Sequence, residues 1–139
     1  MRIMIVCSTG FYDKIGLIKN YLESKGHILK MPNCYDEGNE LDYEEMTDEE
    51  YKSFFKDMYY QSREAVGESD AILVANYSKF KDEKEIKNYI GASTFLEMYE
   101  AFMQGKKIYI LNDYPDSMLI DEIKGFDPII LNGDLDLIK

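Results

Sequence analysis

Short apolar runs recur along this chain with room for a helix between them. The first, 3-IMIVC-7, is continuous rather than alternating and gives way to the small residues 8-STG-10, the pattern of a strand buried on both faces that opens into a loop at its carboxyl end. Behind it, 13-DKIGLIKNYLESKG-26 places Ile15, Ile18, Tyr21 and Leu22 on one helical face, with Asp13 as the N-cap and Gly26 as the stop. A brief strand is expected at 27-HILKM-31. Further apolar runs at 71-AILVA-75, 107-KIYIL-111 and 128-PIIL-131 alternate with helical patterns at 51-YKSFFKDMYYQSREAV-66 and 94-TFLEMYEAFMQ-104, the latter ending at Gly105. Thr47 and Glu50 have capping-box spacing ahead of the first of these helices, and the stripe Tyr51, Phe54, Phe55, Met58 and Tyr59 reads as core or subunit interface.

Alternating strands and helices imply a parallel sheet covered on both faces. The expectation is an α/β, flavodoxin/Rossmann-like three-layer sandwich with a five-stranded, mainly parallel sheet in flavodoxin-like order. A chain of 139 residues with 45% hydrophobic content supports one core, hence a single domain over 1–139. Sheets of this kind take ligands outside the carboxyl ends of their strands, where the winding reverses. Three loops are thereby singled out: residues 8–13, the connection from Asn76 onward, and residues 112–116.

Charge narrows the partners. The formal net charge of −11, from 27 acidic against 16 basic residues, opposes nucleic acid and anionic membrane surfaces. Nine of the carboxylates crowd into 36-DEGNELDYEEMTDEE-50, which reads as a solvated loop and helix start. Cys7 and Cys34 have no metal-ligand spacing and His27 is the only histidine, so no metal and no cofactor are expected, and the thiols are expected to be reduced in a cytoplasmic protein. The apolar run behind Met1 is too short for a secretory leader, and no window approaches the length of a membrane span.

The candidate chemistry centres on 88-NYIGASTFLEMYEAFMQGKKIYILN-112. Thr94 and Glu97 satisfy capping-box spacing, so Glu97 reads either as a helix cap or as a reactive carboxylate in the first turn, facing the ligand crevice. Around it, Ser8, Thr9 and Gly10 offer hydroxyls and amides to a sugar or phosphate, and Phe11 or Tyr12 a stacking ring. Asn76 closes a strand, and Gly91, Ser93 and Thr94 form the small-residue turn before the helix. Cys7 sits near this crevice without a histidine to activate it, which argues against a thiolate nucleophile.

The opening 3-IMIVCSTGFYD-13, with 69-SDAILVANYSK-79 and 89-YIGASTFLEMYEAFMQGKKIYILN-112, resembles the nucleoside 2-deoxyribosyltransferase-like superfamily, in particular its small, mostly uncharacterised members. The resemblance spans the first strand and loop and most of 69–134; the acidic middle matches poorly. It implies that Glu97 is the nucleophile that displaces the base from a deoxynucleoside or deoxynucleotide, giving a covalent sugar-enzyme that water or a second base resolves with retention. Asp70 corresponds approximately to a second acidic position and is the expected partner in catalysis. Ser8, Thr9, Gly10, Phe11, Asn76, Gly91, Ser93 and Thr94 are the expected substrate contacts, and the resemblance implies a pocket completed in a homodimer or higher homo-oligomer. Twelve tyrosines in a small chain point the same way. The chain departs from the pattern at Gly91, where established transferases carry an aspartate thought to handle the base and its proton. Basic side chains for a phosphate are scarce, with Arg2 and Arg63 the only arginines. The departure at Gly91 keeps a non-catalytic nucleotide-binding or sensor domain open as the alternative.

Overall fold

The structure, a computed structural model, describes residues 1–36 and 43–139; part of the acidic stretch read as a solvated loop thus lies outside the described residues. The main sheet contains β1 (Arg2–Val6), β2 (Ile28–Lys30), β3 (Ala71–Val74), β6 (Lys107–Ile110) and β7 (Ile129–Ile130). Its order is β2-β1-β3-β6-β7 and every neighbouring pair is parallel, the flavodoxin-like order expected. Val6 pairs with Val74 and Val74 with Ile110, so the carboxyl ends of the three central strands finish level and their loops emerge together.

Both faces of β1 are covered, which is why its sequence is continuously apolar. Ile3 and Ile5 face α1 (Tyr12–Ser24), packing on Ile15, Ile18 and Leu22. Met4 and Val6 face the opposite layer, made by α2 (Asp48–Gly67), α3 (Ala92–Met103) and α4 (Ile120–Gly125), through Ala65, Val66, Met98, Ala101 and Ile123. Met4, Ile5, Val6, Ile72 and Leu73 are completely buried, each contributing about 1.5–3 kcal/mol relative to exposure. Strands this rigid fix the loops at their ends. Thr47 caps α2 as expected: its Oγ1 accepts from the Glu50 amide at 3.2 Å.

Two local expectations are corrected. The polar connection after β3 holds a hairpin, β4 (Lys79–Lys81) with β5 (Lys84–Ile86), turning through Asp82 (φ 53°) and Glu83 (φ 63°). Two successive positive-φ residues suit a tight hairpin loop, but Asp-Glu is not the Asn-Gly or Asp-Gly pair that announces one. Helix α3 begins at Ala92, two residues earlier than predicted, with Gly91 at the N-cap and no side-chain cap. Thr94 is therefore inside the helix and buried, and the Thr94–Glu97 capping box does not form.

Candidate functional site

A cleft of about 610 Å³ opens beyond the carboxyl end of β1, on the side of the sheet covered by α2 and α3. Cys7, Ser8 and Thr9 enter it from the first loop, Asn33 from the segment after β2, Ser62 from α2, and Tyr89 with Gly91 from the approach to α3. Placement at this edge follows from the strand order, because the chain winds outward in opposite directions from β1 and β3.

Glu97 lies in the second turn of α3 and lines this cleft. Free of capping, its carboxylate meets α2 instead. The Ser62 hydroxyl donates to Glu97 Oε2 at 3.3 Å, while Ser62 Oγ accepts from Asn33 Nδ2 at 2.8 Å. The direction of this chain is fixed by chemistry: an amide nitrogen only donates, so the single serine proton is available to the carboxylate. Glu97 is half-buried, open to the cleft on one side and enclosed by protein on the others. Burial raises its carboxyl from an ordinary 4.5 to about 7, and the Ser62 hydrogen bond acts in the opposite sense. The helix dipole does not offset this, since it acts mainly at the first turn and Glu97 lies beyond it.

Cys7 is the next titratable neighbour. Burial first, and the Glu97 charge second, push its thiol up to about 12, so it stays protonated and is no nucleophile at neutral pH. Glu100 also lines the cleft, where Oε1 accepts from Gln104 Nε2 at 2.7 Å and faces Arg63 Nε at 3.7 Å. Among the described residues that line the cleft there is no lysine, arginine or histidine.

Ser8, Thr9, Gly91, Ser93 and Thr94 all line the cleft with Glu97. Gly10, Phe11, Asn76 and Asp70 do not. Phe11 is buried, edge-on to Tyr77 with centroids 5.5 Å apart, and so belongs to the packing under the loop. Asn76 is fully buried and committed: its Nδ2 donates to Asp113 O at 2.8 Å and to Asn88 O at 3.4 Å, and its Oδ1 accepts from the Asn112 amide at 2.9 Å. It ties three loops together rather than meeting a ligand. Asp70 precedes β3, at the amino edge of the sheet and opposite the cleft, where it accepts from the Arg2 amide at 2.7 Å. That amide, aided by the Arg2 charge, holds its carboxyl below the usual range.

The sequence reading missed Asn33, Ser62, Phe55, Met58 and Tyr59, all of which line the cleft. The aromatic stripe of α2 is therefore a wall of the cleft as well as packing. Nothing in local spacing reveals this, because Ser62 and Glu97 are 35 positions apart and meet only through helix packing. No group of three or more metal-ligating side chains occurs among the described residues.

An open parallel sheet in this order, covered by helices on both faces, defines a Rossmann-like three-layer α/β fold, here with a half-buried carboxyl in a cleft at the carboxyl edge of the sheet. Two solved structures superpose on this chain, and the first of them shares its fold. A CMP N-glycosidase of Clostridium botulinum superposes with a TM-score of 0.53 at 16% identity, over 94% of this chain and 85% of its own. A 2-deoxyribosyltransferase of Bacillus psychrosaccharolyticus superposes at 0.49 and 17% identity, over 79% and 71%. At this identity the likeness to the CMP N-glycosidase is one of fold. No protein-family model matches the sequence, and no curated protein matches it significantly.

Proposed function

We propose that this chain, as a single domain, cleaves the N-glycosidic bond of a nucleoside or deoxynucleotide, or transfers its sugar to a second base, with retention and with Glu97 as nucleophile. The observation that carries the proposal is the setting of Glu97: a carboxyl in a cleft of nucleoside size, held by Ser62 and poised to ionise near neutral pH. The shared fold with the CMP N-glycosidase supports it.

In this reading the ionised carboxylate attacks the anomeric carbon from one face as the C–N bond breaks, and the oxocarbenium-like charge is stabilised by the same carboxylate. Enclosure makes that electrostatic contact stronger than it would be in water. Hydroxyls of Ser8, Thr9 and Ser93 surround the sugar, and the rings of Phe55 and Tyr59 offer faces to the base. With carboxylates and no basic side chain lining the cleft among the described residues, the reading favours neutral nucleosides over their monophosphates.

Base release from a panel of 2-deoxynucleosides and monophosphates, with and without a second base, tests the proposal; Glu97→Gln should abolish it with the fold intact. Unchanged turnover in that variant would remove Glu97 from the chemistry. The second reading, a non-catalytic binding or sensor domain, rests on Gly91, which leaves no carboxylate before α3 to serve the departing base. Ligand affinity without base release would establish it.

We also place the protein in the cytoplasm as a homodimer or higher homo-oligomer. Among the described residues no helix is long and apolar enough to cross a membrane. Tyr59, Tyr60, Leu96, Tyr99, Phe102 and Met103 are each 45% exposed or more on α2 and α3, and Tyr59, Leu96 and Tyr99 also line the cleft. An apolar rim of this extent suits a second copy.

A further inference from the structure

A purine or pyrimidine leaves poorly as an anion, so the reaction proposed for Glu97 needs a proton at the departing nitrogen. Neither Asp70 nor Glu100 supplies it. Asp70 is at the opposite edge of the sheet, and Glu100 is held by Gln104 and Arg63. Tyr59 and Tyr99 are about half exposed on the outer helices, and Tyr12 packs edge-on to Tyr35.

Tyr89 differs from all of these. It is half-buried, lines the cleft, and its hydroxyl makes no hydrogen bond to another described residue. Its position is fixed by the Tyr89 amide, which donates to Tyr77 O at 2.8 Å, and by an edge contact with Phe11. A Cβ added to Gly91 would lie 3.2 Å from Tyr89 Oη, so the phenol fills the space that a side chain at position 91 would enter. Lys79 Nζ stands 4.7 Å from the centre of the Tyr89 ring. Gly91 precedes Glu97 by six residues, about 9 Å of helical rise, and the glutamate side chain tilts back toward the amino end of its helix. Both groups line the same cleft.

From this juxtaposition we infer that Tyr89 is a catalytic residue, the acid that protonates the departing base, with Lys79 as the positioning residue that stabilises its phenolate. The inference rests on the glycosidic reading of Glu97. In the first half-reaction the C–N electron pair goes to the base nitrogen, that nitrogen takes the Tyr89 proton, and Glu97 forms the new C–O bond. In the second, water or the ring N–H of a second base attacks the same carbon, its proton returns to the phenolate, and the Glu97 carboxylate is released. The ammonium over the ring strengthens its attraction as the phenol gains charge. Gly91 is then a requirement of the acid, since a side chain there would press on the phenol.

The test compares Tyr89→Phe, Lys79→Met and Glu97→Gln on two substrates: 2-deoxynucleosides, whose base needs a proton, and a 2-deoxyribosyl 4-nitrophenolate, whose leaving group departs as a stable anion. Tyr89→Phe should lose about 10²–10³-fold in kcat/KM on the nucleosides and change less than about threefold on the nitrophenolate. Lys79→Met should lose roughly tenfold on the nucleosides alone. Equal losses on both substrates, or no loss on either, overturn the role of Tyr89 while leaving Glu97 in place if its variant is dead on both. An active Glu97→Gln, or a wild type that cleaves neither substrate, overturns the glycosidic reading and the inference with it. Circular dichroism of each variant separates loss of chemistry from loss of fold.

Discussion

The Ser62 hydroxyl, on α2, donates to Glu97 Oε2, on α3, and Asn33 holds that hydroxyl from the opposite side. Position and protonation of the carboxyl are thereby coupled. A hydrogen bond to a charged acceptor contributes about 1.5–3 kcal/mol, and the 3.3 Å separation puts this one at the weak end. Ser62→Ala should move the acidic limb of the kcat/KM profile upward by about one pH unit, since one unit corresponds to 1.36 kcal/mol. At pH well above the limb, turnover should recover toward wild type. A variant with an unmoved limb and a uniformly depressed rate would reduce Ser62 to packing.

The wild-type profile follows from the same group. Only the ionised Glu97 is a nucleophile, and its carboxyl is raised to about 7. Activity should fall as pH drops through that value, a limb well above that of an ordinary glutamate. Initial rates between pH 5 and 9 in a constant-ionic-strength buffer measure it. A flat profile down to pH 5 contradicts either the role or the burial of Glu97.

Stability should show the reverse dependence. Glu97 holds its proton more tightly folded, at about 7, than at its ordinary 4.5, so protonation favours the fold. That contribution is complete below about pH 4.5 and is lost as pH rises through about 7, a change of at most about 3 kcal/mol. Glu97→Gln removes it. The difference in unfolding free energy between variant and wild type should therefore grow in the variant's favour from pH 5 to pH 8, by denaturant titration at each pH. A constant difference would mean that the carboxyl is not held in the neutral form.

Asp70 and Asn76 separate what residue type suggests from what position allows. Asp70→Asn should leave kcat/KM within about twofold, because its carboxylate meets Arg2 at the far edge of the sheet, away from the cleft. Asn76→Ala should instead destabilise the fold, since each buried group it leaves unpaired costs about 1–3 kcal/mol. Thermal melts and kinetics on the two variants distinguish these outcomes. A large catalytic loss in Asp70→Asn with an unchanged melt would return that residue to the mechanism.

The sheet was legible in the sequence because burial on both faces writes itself as uninterrupted apolar runs, as in 3-IMIVC-7 and 71-AILVA-75. The flavodoxin-like strand order was the default for alternating β and α segments, and the sheet has it. The cleft was half legible. Glu97 and the small residues Ser8, Thr9, Gly91, Ser93 and Thr94 sit on loops and helix starts that strand order alone brings together. Ser62 and Asn33 were hidden, since a serine inside a helix has no signature until another helix packs on it. Phe11 and Asn76 lie outside the lining of the cleft, and a ring and an amide at strand ends suit a ligand and the protein's own loops equally well. Thr94 and Glu97 matched a capping pattern that the backbone did not use, because Gly91 started the helix earlier.

Charge decides the last prediction. A monophosphate entering this cleft brings close to two negative charges toward Glu97 and Glu100, and no lysine, arginine or histidine lines it among the described residues. Two charges 6 Å apart at an effective dielectric of about 20 repel by roughly 3 kcal/mol, and ionisation of Glu97 adds to that burden. Serine and threonine hydroxyls and the free amides at the start of α3 recover part of this, but they also serve a neutral sugar. Deoxynucleosides should therefore exceed their 5-monophosphates in kcat/KM by at least about tenfold. The gap should narrow at high ionic strength, where screening weakens repulsion at an open cleft. A preference for monophosphates would require Lys79 or Lys14, each stacked on a ring near the first loop, to swing toward the phosphate. Lys79→Met and Lys14→Met would then abolish that preference, and comparing the two substrates in these variants resolves the matter.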